Sequence, residues 1–216
     1  MHNKMDVWKY TIDKMQRQEM KSDSFLLELI NYQYGYIGWC LGKNKKKEAK
    51  HYLELAENNV NKLDQKNTNQ ALANAYKSAF LGFRIELNPL KAPFLGRKSL
   101  KHIKTAIELD DSIPMVQIQY GLAYLHMPSI SGGSKENAID HFIKAENMMA
   151  KNPQLQKNDW NYIRLLTLLG QTYEEIENNI KAEEYYKKTL HIEPEYHWVK
   201  DRLYPDLKKN WNKSNE

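Results

Sequence analysis

The chain has 216 residues, of which 41% are hydrophobic and 27% are charged, a composition typical of a folded, water-soluble protein. It contains no run of about 18 apolar residues, which excludes an ordinary membrane-spanning helix. Its single cysteine, Cys40, excludes an internal disulfide and a zinc site made of thiolates. The length suits one continuous core, so we expect a single domain over residues 1–216.

The formal net charge of +5 raises the question of a nucleic-acid partner. Only five of the 32 basic residues are arginines, although arginine forks are favoured for contacts with bases and phosphates. The lysines are scattered among acidic residues, apart from the run in residues 43–47. This pattern favours a solvated surface, and we expect no nucleic-acid partner.

Residues 1–23 are predicted to form an N-terminal capping helix. The apolar side chains with loosely helical spacing are Val7, Trp8, Ile12, Met15 and Met20. Charges occur throughout this stretch and the apolar region of a signal peptide is missing, which favours a cytoplasmic protein. If the natural chain carries a signal peptide that precedes this sequence, the protein is periplasmic instead.

Residues 24–195 are predicted to form four helical hairpins. The first hairpin pairs residues 24–42, with Ser24 as the N-cap, with residues 46–63. The second pairs residues 67–87, which end at Asn88-Pro89, with a helix that starts near Ser99. A connection of eleven residues, 88–98, separates these two helices.

The third hairpin opens at Pro114, a residue that is favourable in the first turn of a helix. A long turn over residues 127–134 leads to its second helix, which Ser134 caps and Asn152-Pro153 closes. The fourth hairpin runs from Trp160 to Pro194. A C-terminal cap over residues 196–216 follows, and its apolar face is predicted to carry Trp198, Leu203 and Leu207.

The fourth hairpin carries small and aromatic residues at fixed helical offsets. Small Gly170 and Ala182 allow two antiparallel helices to approach closely, and Tyr173 and Tyr186 fill the seam between them. Pro194 stops the second helix. The third hairpin repeats this pattern with Gly121, Tyr124, Ala138, Phe142 and Ala145.

The spacing resembles that of the tetratricopeptide repeat (TPR) family, over roughly residues 25–194. The resemblance implies an all-α fold: a right-handed helical solenoid of about four TPR-like hairpins with N- and C-terminal capping helices. The irregular repeat lengths and the turn at residues 128–134 are more loosely similar to exported Gram-negative TPR proteins. These include the T component of tripartite periplasmic transporters.

In this family the first helix of each repeat lines a concave groove that binds a partner. The resemblance therefore implies a groove that is aromatic and apolar at one end and polar at the other. Its predicted residues are Tyr32, Tyr36, Trp39, Tyr76, Phe80, Phe83, Arg84, Ile118, Leu122, Leu125, His126, Arg164 and Gln171.

Two interpretations of this stripe stay open. The aromatic residues can pack on one another or beneath the N-terminal helix as ordinary core. Alternatively, an unfilled groove binds a peptide, an amphipathic helix or an apolar small ligand. Arg84 and Arg164 then contact a carboxylate or phosphate, or else they are cations at helix ends that need no ligand.

The two long turns, residues 88–98 and 127–134, exceed what a helical hairpin needs. Because equivalent turns project from the same edge of a solenoid, we expect them to form one rim. The predicted rim residues are Phe94, Leu95, Met127 and Ile130. Phe94 either docks against the second turn or across the groove mouth, or caps its own hairpin.

Signals for catalysis are weak. The seven histidines include no pair at metal-ligand spacing with a carboxylate, and Gly132-Gly133-Ser134-Lys135 lacks the earlier glycine of a phosphate loop. We therefore expect a protein that is not an enzyme, with no catalytic residues, no metal and no cofactor. The predicted function is a binding scaffold for a protein or peptide partner. The alternative is a periplasmic binding protein for a small apolar or amphipathic ligand.

Overall fold

The structure, a computed structural model, describes residues 4–152 and 160–213, with side chains given as far as Trp211. Within these ranges it is helical and contains no strand, which confirms the all-α prediction. The helices are α1 Lys4–Gln16, α2 Asp23–Gly42, α3 Lys46–Gln65, α4 Gln70–Leu87, α5 Ala92–Leu109, α6 Pro114–His126, α7 Lys135–Ala150, α8 Trp160–Glu175, α9 Asn179–Ile192 and α10 Tyr204–Lys213. Short 3₁₀ turns occupy Pro89–Lys91 and Ser129–Ser131, and a π-helical turn occupies Val199–Leu203.

The chain forms two compact units, Met1–Asp110 and Asp111–Glu216. In the first unit, α2 pairs with α3 and α4 pairs with α5, while α1 packs on α2. In the second unit, α6 pairs with α7 and α8 pairs with α9, and the C-terminal segment packs on α9. The prediction that all 216 residues form one domain stays a prediction.

Local signals set most helix ends. Pro114 begins α6, the Ser134 hydroxyl accepts a hydrogen bond from the Asn137 amide at 3.1 Å, and α9 ends shortly before Pro194. The predicted N-cap at Ser24 is wrong, because Ser22 accepts from the Phe25 amide at 3.2 Å and α2 starts at Asp23. Pro153, predicted to help close α7, lies outside the described residues.

The second hairpin departs most from its prediction. Its second helix, α5, begins at Ala92 and not near Ser99, so the predicted loop over residues 88–98 is largely helical. Pro93 lies in the first turn of α5. Backbone N–H groups in the first turn make no hydrogen bond within the helix, so proline, which lacks this group, is tolerated there. The connection that remains is therefore short.

Close contacts between small and aromatic residues fix the two hairpins of the second unit. A Cβ added to Gly121 would lie 2.5 Å from Phe142 Cε1, and one added to Gly170 would lie 2.6 Å from Tyr186 Cδ1. Both rings are fully buried, and the Tyr186 hydroxyl donates to Glu174 at 2.9 Å. Glycine is therefore required for the helices to approach this closely.

The second hairpin has no glycine in this place and uses serine instead. The Ser78 and Ser99 hydroxyls lie 2.9 Å apart, and the Ser99 hydroxyl also donates to the Ser78 carbonyl at 3.0 Å. Sequence reasoning named Ser99 only as the approximate start of this helix and did not single out Ser78. Two small polar residues here allow close approach and satisfy each other's hydrogen bonds.

One turn away from these small contacts, the second and third hairpins each hold a histidine–amide pair. His102 Nδ1 lies 2.8 Å from Asn74 Oδ1, and His141 Nδ1 lies 2.7 Å from Gln117 Oε1. In each pair Nδ1–H donates to the amide oxygen. Burial lowers the pKa of both histidines, with smaller lowering contributions from nearby lysines.

The terminal helices cover apolar surface as predicted, but not with all of the predicted residues. Ile12 is fully buried in α1, whereas Val7 and Met20 are exposed. At the other end Leu207 is buried and Leu203 is half-buried, but Trp198 is exposed and Val199 takes its place in the core. Met20 lies beyond the end of α1, so helical spacing could not place it on that helix face.

We predict that Gly170→Ala lowers the free energy of unfolding by about 1–3 kcal/mol, because the new methyl group overlaps a ring that is fully buried and held by Glu174. The matched control is Gly82→Ala in α4, where an added Cβ meets nothing within 4 Å. This control should be neutral or stabilise by about 0.5–1 kcal/mol. Urea denaturation measures both, and equal effects of the two changes would contradict the assigned contact.

We predict that the protein loses stability as the pH falls below about 6.5, the usual histidine pKa. The folded state holds His102 and His141 neutral, so it binds fewer protons than the unfolded state at mildly acidic pH. Their stabilising contribution is complete above the unfolded pKa and is lost below it. The doubly substituted His102→Gln/His141→Gln protein keeps an amide donor at each place and should show a smaller drop.

Urea denaturation curves at about pH 7.5 and about pH 5 give the two free energies of unfolding that this comparison needs. The drop in the parent minus the drop in the variant is the part that belongs to the two histidines. Equal drops would mean that other groups control the acid sensitivity.

Candidate functional site

The predicted aromatic stripe in the first unit is mostly core. Tyr36, Tyr76 and Phe80 are at most 4% exposed, so they do not face an open groove as predicted. The Tyr36 ring packs edge-on against Tyr52 at 4.9 Å and its hydroxyl donates to Glu48 at 2.8 Å. These contacts place Tyr36 in the seam between α2 and α3.

The remaining aromatic residues of this stripe are half-buried and also make protein contacts. Phe83 stacks on Tyr34 at 5.4 Å, across the contact between α2 and α4. Trp39 carries the Lys45 ammonium over its ring at 4.5 Å, and Tyr32 meets Trp8 of α1 edge-on at 5.8 Å. In the first unit the stripe therefore fits the packing interpretation.

Arg84 is engaged within the first unit. Its Nε donates to Glu57 Oε1 at 2.9 Å and its Nη2 donates to Glu57 Oε2 at 2.5 Å, which links α4 to α3 through both carboxylate oxygens. The hydrogen bond with Glu57 raises the pKa of Arg84. The prediction that Arg84 contacts a ligand carboxylate or phosphate is therefore replaced by an internal ion pair.

A different set of predicted residues lies together on the second unit, along α6 and α8. We call it the α6–α8 face, and its members are Leu122, Leu125, His126 and Arg164, while Gln171 lies two turns after Arg164 on α8. Thr167 is 1% exposed and belongs to the core. Leu122 and Leu125 are half-buried and pack against the buried cluster that includes Leu165 and Leu169. Ile118, predicted for this groove, is only 3% exposed and belongs to the core.

Charge on the α6–α8 face is mixed. The His126 ring is exposed at the surface, yet surrounding protein lowers its pKa, and Arg164 lowers it further while Glu175 opposes them. The face therefore holds a neutral imidazole and a guanidinium at neutral pH. Gln171, one turn after Thr167 on α8, is half-buried.

Tyr196 adds a hydroxyl to this face and was missed by the sequence reasoning. It comes from the segment after α9. The charge of Arg164 and a hydrogen bond with Thr167 both lower the pKa of its hydroxyl. Burial raises the pKa of Tyr196 despite them, so its hydroxyl stays protonated. No sequence signal relates Tyr196 to α8, since their proximity arises only when the C-terminal segment folds back.

Only the second of the two predicted loops is largely non-helical, because residues 92–98 are part of α5. The rim itself stays a prediction. Phe94 is 63% exposed, and the Lys98 ammonium lies 4.2 Å from its ring centre. Most of the Phe94 side chain is therefore open to solvent, and its docking against the second turn or on its own hairpin stays a prediction. Leu95 and Met127 are half-buried, and Ile130 is 99% exposed at the tip of the second turn.

An open polar groove of about 760 Å³ lies between α1 and α3, and the sequence did not predict it. Several of its groups are paired with one another: Lys9 with Glu48 at 2.9 Å, and the Tyr52 hydroxyl with Asp13 at 2.7 Å.

Cys40 does not line this groove. Burial raises the pKa of its thiol to about 11, which disfavours a thiolate nucleophile.

Among residues 4–152 and 160–213, no group of three or more His, Cys, Asp or Glu side chains could hold a metal ion. Nor does any helix there have the length and apolar character to cross a bilayer. The absence of catalysis stays a prediction.

No protein-family model and no curated protein matches the chain. Solved structures do. The fold resembles that of the HusA haemophore from Porphyromonas gingivalis. The alignment covers 79% of this chain and 84% of HusA, with 18% identity and a TM-score of 0.63. BtubC from P. vanneervenii aligns over 89% of this chain and 73% of its own, with 11% identity and a TM-score of 0.49, which is too low to support an argument.

We predict that Arg84→Glu lowers the melting temperature, because it sets two carboxylates side by side where the bidentate ion pair stood. Swapping the charges in the Arg84→Glu/Glu57→Arg protein should recover part of the loss. Both side chains are about one-third exposed, so we expect a coupling energy of only about 0.5–1 kcal/mol. A double-mutant cycle in thermal melts measures it, and additive effects would contradict the pairing.

Proposed function

We propose that this chain is a non-catalytic binding protein built from TPR-like helical hairpins. The small-to-aromatic contacts of Gly121 with Phe142 and of Gly170 with Tyr186 support this proposal, because they join the positions that define the repeat. The serine contact of the second hairpin occupies the same place. A right-handed solenoid of four such hairpins is part of the proposal.

The ligand that best fits the α6–α8 face is a small amphipathic molecule with an apolar body and an anionic group. The observation that carries this proposal is the placement of half-buried Leu122 and Leu125 beside His126 and Arg164. The leucines offer apolar contact, the guanidinium suits a carboxylate, and the Tyr196 hydroxyl can donate a hydrogen bond. Recognition thus needs no catalytic group.

Because the fold resembles that of a haemophore, we choose haem as the ligand for the test. Haem has an apolar macrocycle and two carboxylates, so it is amphipathic in the sense that this face requires. A neutral imidazole is the form that binds metal ions, and the environment of His126 favours that form. In this proposal His126 would contact the iron and Arg164 a carboxylate, with haem as cargo.

The experiment compares haem with iron-free protoporphyrin by absorbance titration. We expect saturable binding of both, with His126→Ala weakening haem by about tenfold and leaving protoporphyrin nearly unchanged. Arg164→Gln should weaken both porphyrins, because the carboxylates are common to them. The matched controls His191→Ala and Arg202→Gln change exposed residues of the second unit and should bind as the parent does. Non-saturable binding, or equal behaviour of all four variants, would overturn the small-ligand proposal.

The second candidate function is a scaffold for a protein or peptide partner. The observation that favours it is the amide of half-buried Gln171 on α8, two turns after Arg164 of the α6–α8 face. Amide groups suit a peptide backbone, and leucine suits an apolar anchor of a docked helix. Selection from a random displayed-peptide library, with counter-selection on Leu125→Glu, tests it. Enrichment of sequences that bind only the parent would support the scaffold.

A further inference from the structure

The outward face of α5 concentrates positive charge. Between Glu86 and Glu108 the chain has no acidic residue, and five basic residues in this interval are exposed: Lys91, Arg97, Lys98, Lys101 and Lys104. Lys91 ends the 3₁₀ turn that leads into α5, and the other four lie on the helix. Glu108, in the last turn, ends the cationic stretch.

Two large apolar side chains stand among these cations. Leu90 is 92% exposed and Phe94 is 63% exposed. With about 100° between successive helical residues, Phe94 lies near the middle of the solvent face, and Arg97, Lys98 and Lys101 lie within about 60° of it. The opposite face of α5 carries Ile103 and Ala106, which are fully buried. The exposed apolar residues are therefore not needed for packing of the helix.

The cations of this face make no ion pair with a carboxylate among the described residues. Other lysines of the first unit do, such as Lys66 with Asp23 at 2.6 Å and Lys77 with Asp64 at 2.5 Å. On α5 the Lys98 ammonium instead lies 4.2 Å from the centre of the Phe94 ring. The charge of this face is thus available to an anionic surface.

We propose that the exposed face of residues 90–104, made by the 3₁₀ turn and α5 and called here the α5 face, docks on the surface of an anionic lipid bilayer. Leu90 and Phe94 enter the region between headgroups and acyl chains, and the flanking lysine and arginine side chains reach the lipid phosphates. The charge complementarity and the exposed apolar pair carry the proposal together. A nucleic acid would use the cations but would leave Leu90 without a partner.

This proposal is independent of the ligand assigned to the α6–α8 face, since the α5 face belongs to the first unit. It also requires no membrane-spanning helix, because an interfacial helix lies in the plane of the membrane. Each cation near an anionic bilayer strengthens binding by roughly fivefold. Five of them together with two apolar side chains suffice for reversible attachment.

The experiment measures co-sedimentation of the full chain with phosphatidylcholine vesicles, made with and without phosphatidylserine. We expect binding only to the vesicles that contain phosphatidylserine, and loss of binding at high salt. Lys98→Gln/Lys101→Gln should weaken binding by roughly fivefold per lysine. Leu90→Ser/Phe94→Ser should weaken it by at least about tenfold.

Matched controls change the same number of charges and exposed apolar groups elsewhere in the first unit. Lys43→Gln/Lys47→Gln removes two exposed lysines near the turn between α2 and α3, and Val7→Ser/Met20→Ser removes two exposed apolar side chains. Both controls should bind vesicles within about twofold of the parent. Circular dichroism and thermal melts check that each variant is folded.

A fluorophore at Pro93→Cys reports insertion directly. Pro93 is exposed, whereas Cys40 is fully buried, so an environment-sensitive label attaches at residue 93. A blue shift with phosphatidylserine vesicles supports the proposal. Equal losses in the α5 and control variants would overturn it. Binding of a single-stranded DNA oligonucleotide that is as tight as vesicle binding, and insensitive to Leu90→Ser/Phe94→Ser, would replace the lipid partner with a nucleic acid.

Discussion

The close approach of paired helices at small residues is the constraint on which the rest of the structure depends. Where Gly121 and Gly170 face Phe142 and Tyr186, a single methyl group would overlap a buried ring. This contact sets the distance and register of the two helices in each hairpin of the second unit. In the first unit, the contact of Ser78 with Ser99 does the same with hydroxyl groups.

Polar pairing explains why the first unit offers less binding surface than its aromatic content indicates. The rings of Tyr36 and Tyr52 lie in the seam between α2 and α3. The Tyr36 hydroxyl donates a hydrogen bond to Glu48, and the Tyr52 hydroxyl donates one to Asp13. Buried hydroxyls need such partners, because an unsatisfied polar group in the core is costly. Arg84 is held by a carboxylate of the neighbouring helix in the same way. The buried aromatic residues and Arg84 of the predicted stripe thus serve mainly the stability of this unit.

The two surfaces proposed for binding differ in how they are built. The α6–α8 face combines residues of two helices and the C-terminal segment, so its chemistry depends on packing within the second unit. The α5 face is built from one helix and the 3₁₀ turn that leads into it, and its solvent side carries cations around Phe94. A protein with both surfaces could hold a small amphipathic ligand while attached to a bilayer.

The sequence by itself determined the helical class, most helix ends and the register of the third and fourth hairpins. These features rest on local chemistry, such as the Ser134 cap, the proline at the start of α6 and a glycine spaced correctly from an aromatic ring. Only the tertiary structure decided that Tyr76 and Phe80 are buried, that Arg84 pairs with Glu57, and that Tyr196 joins Arg164. Each of these outcomes depends on partners from other helices or distant segments, and helical periodicity gives a side chain's direction but not what covers it.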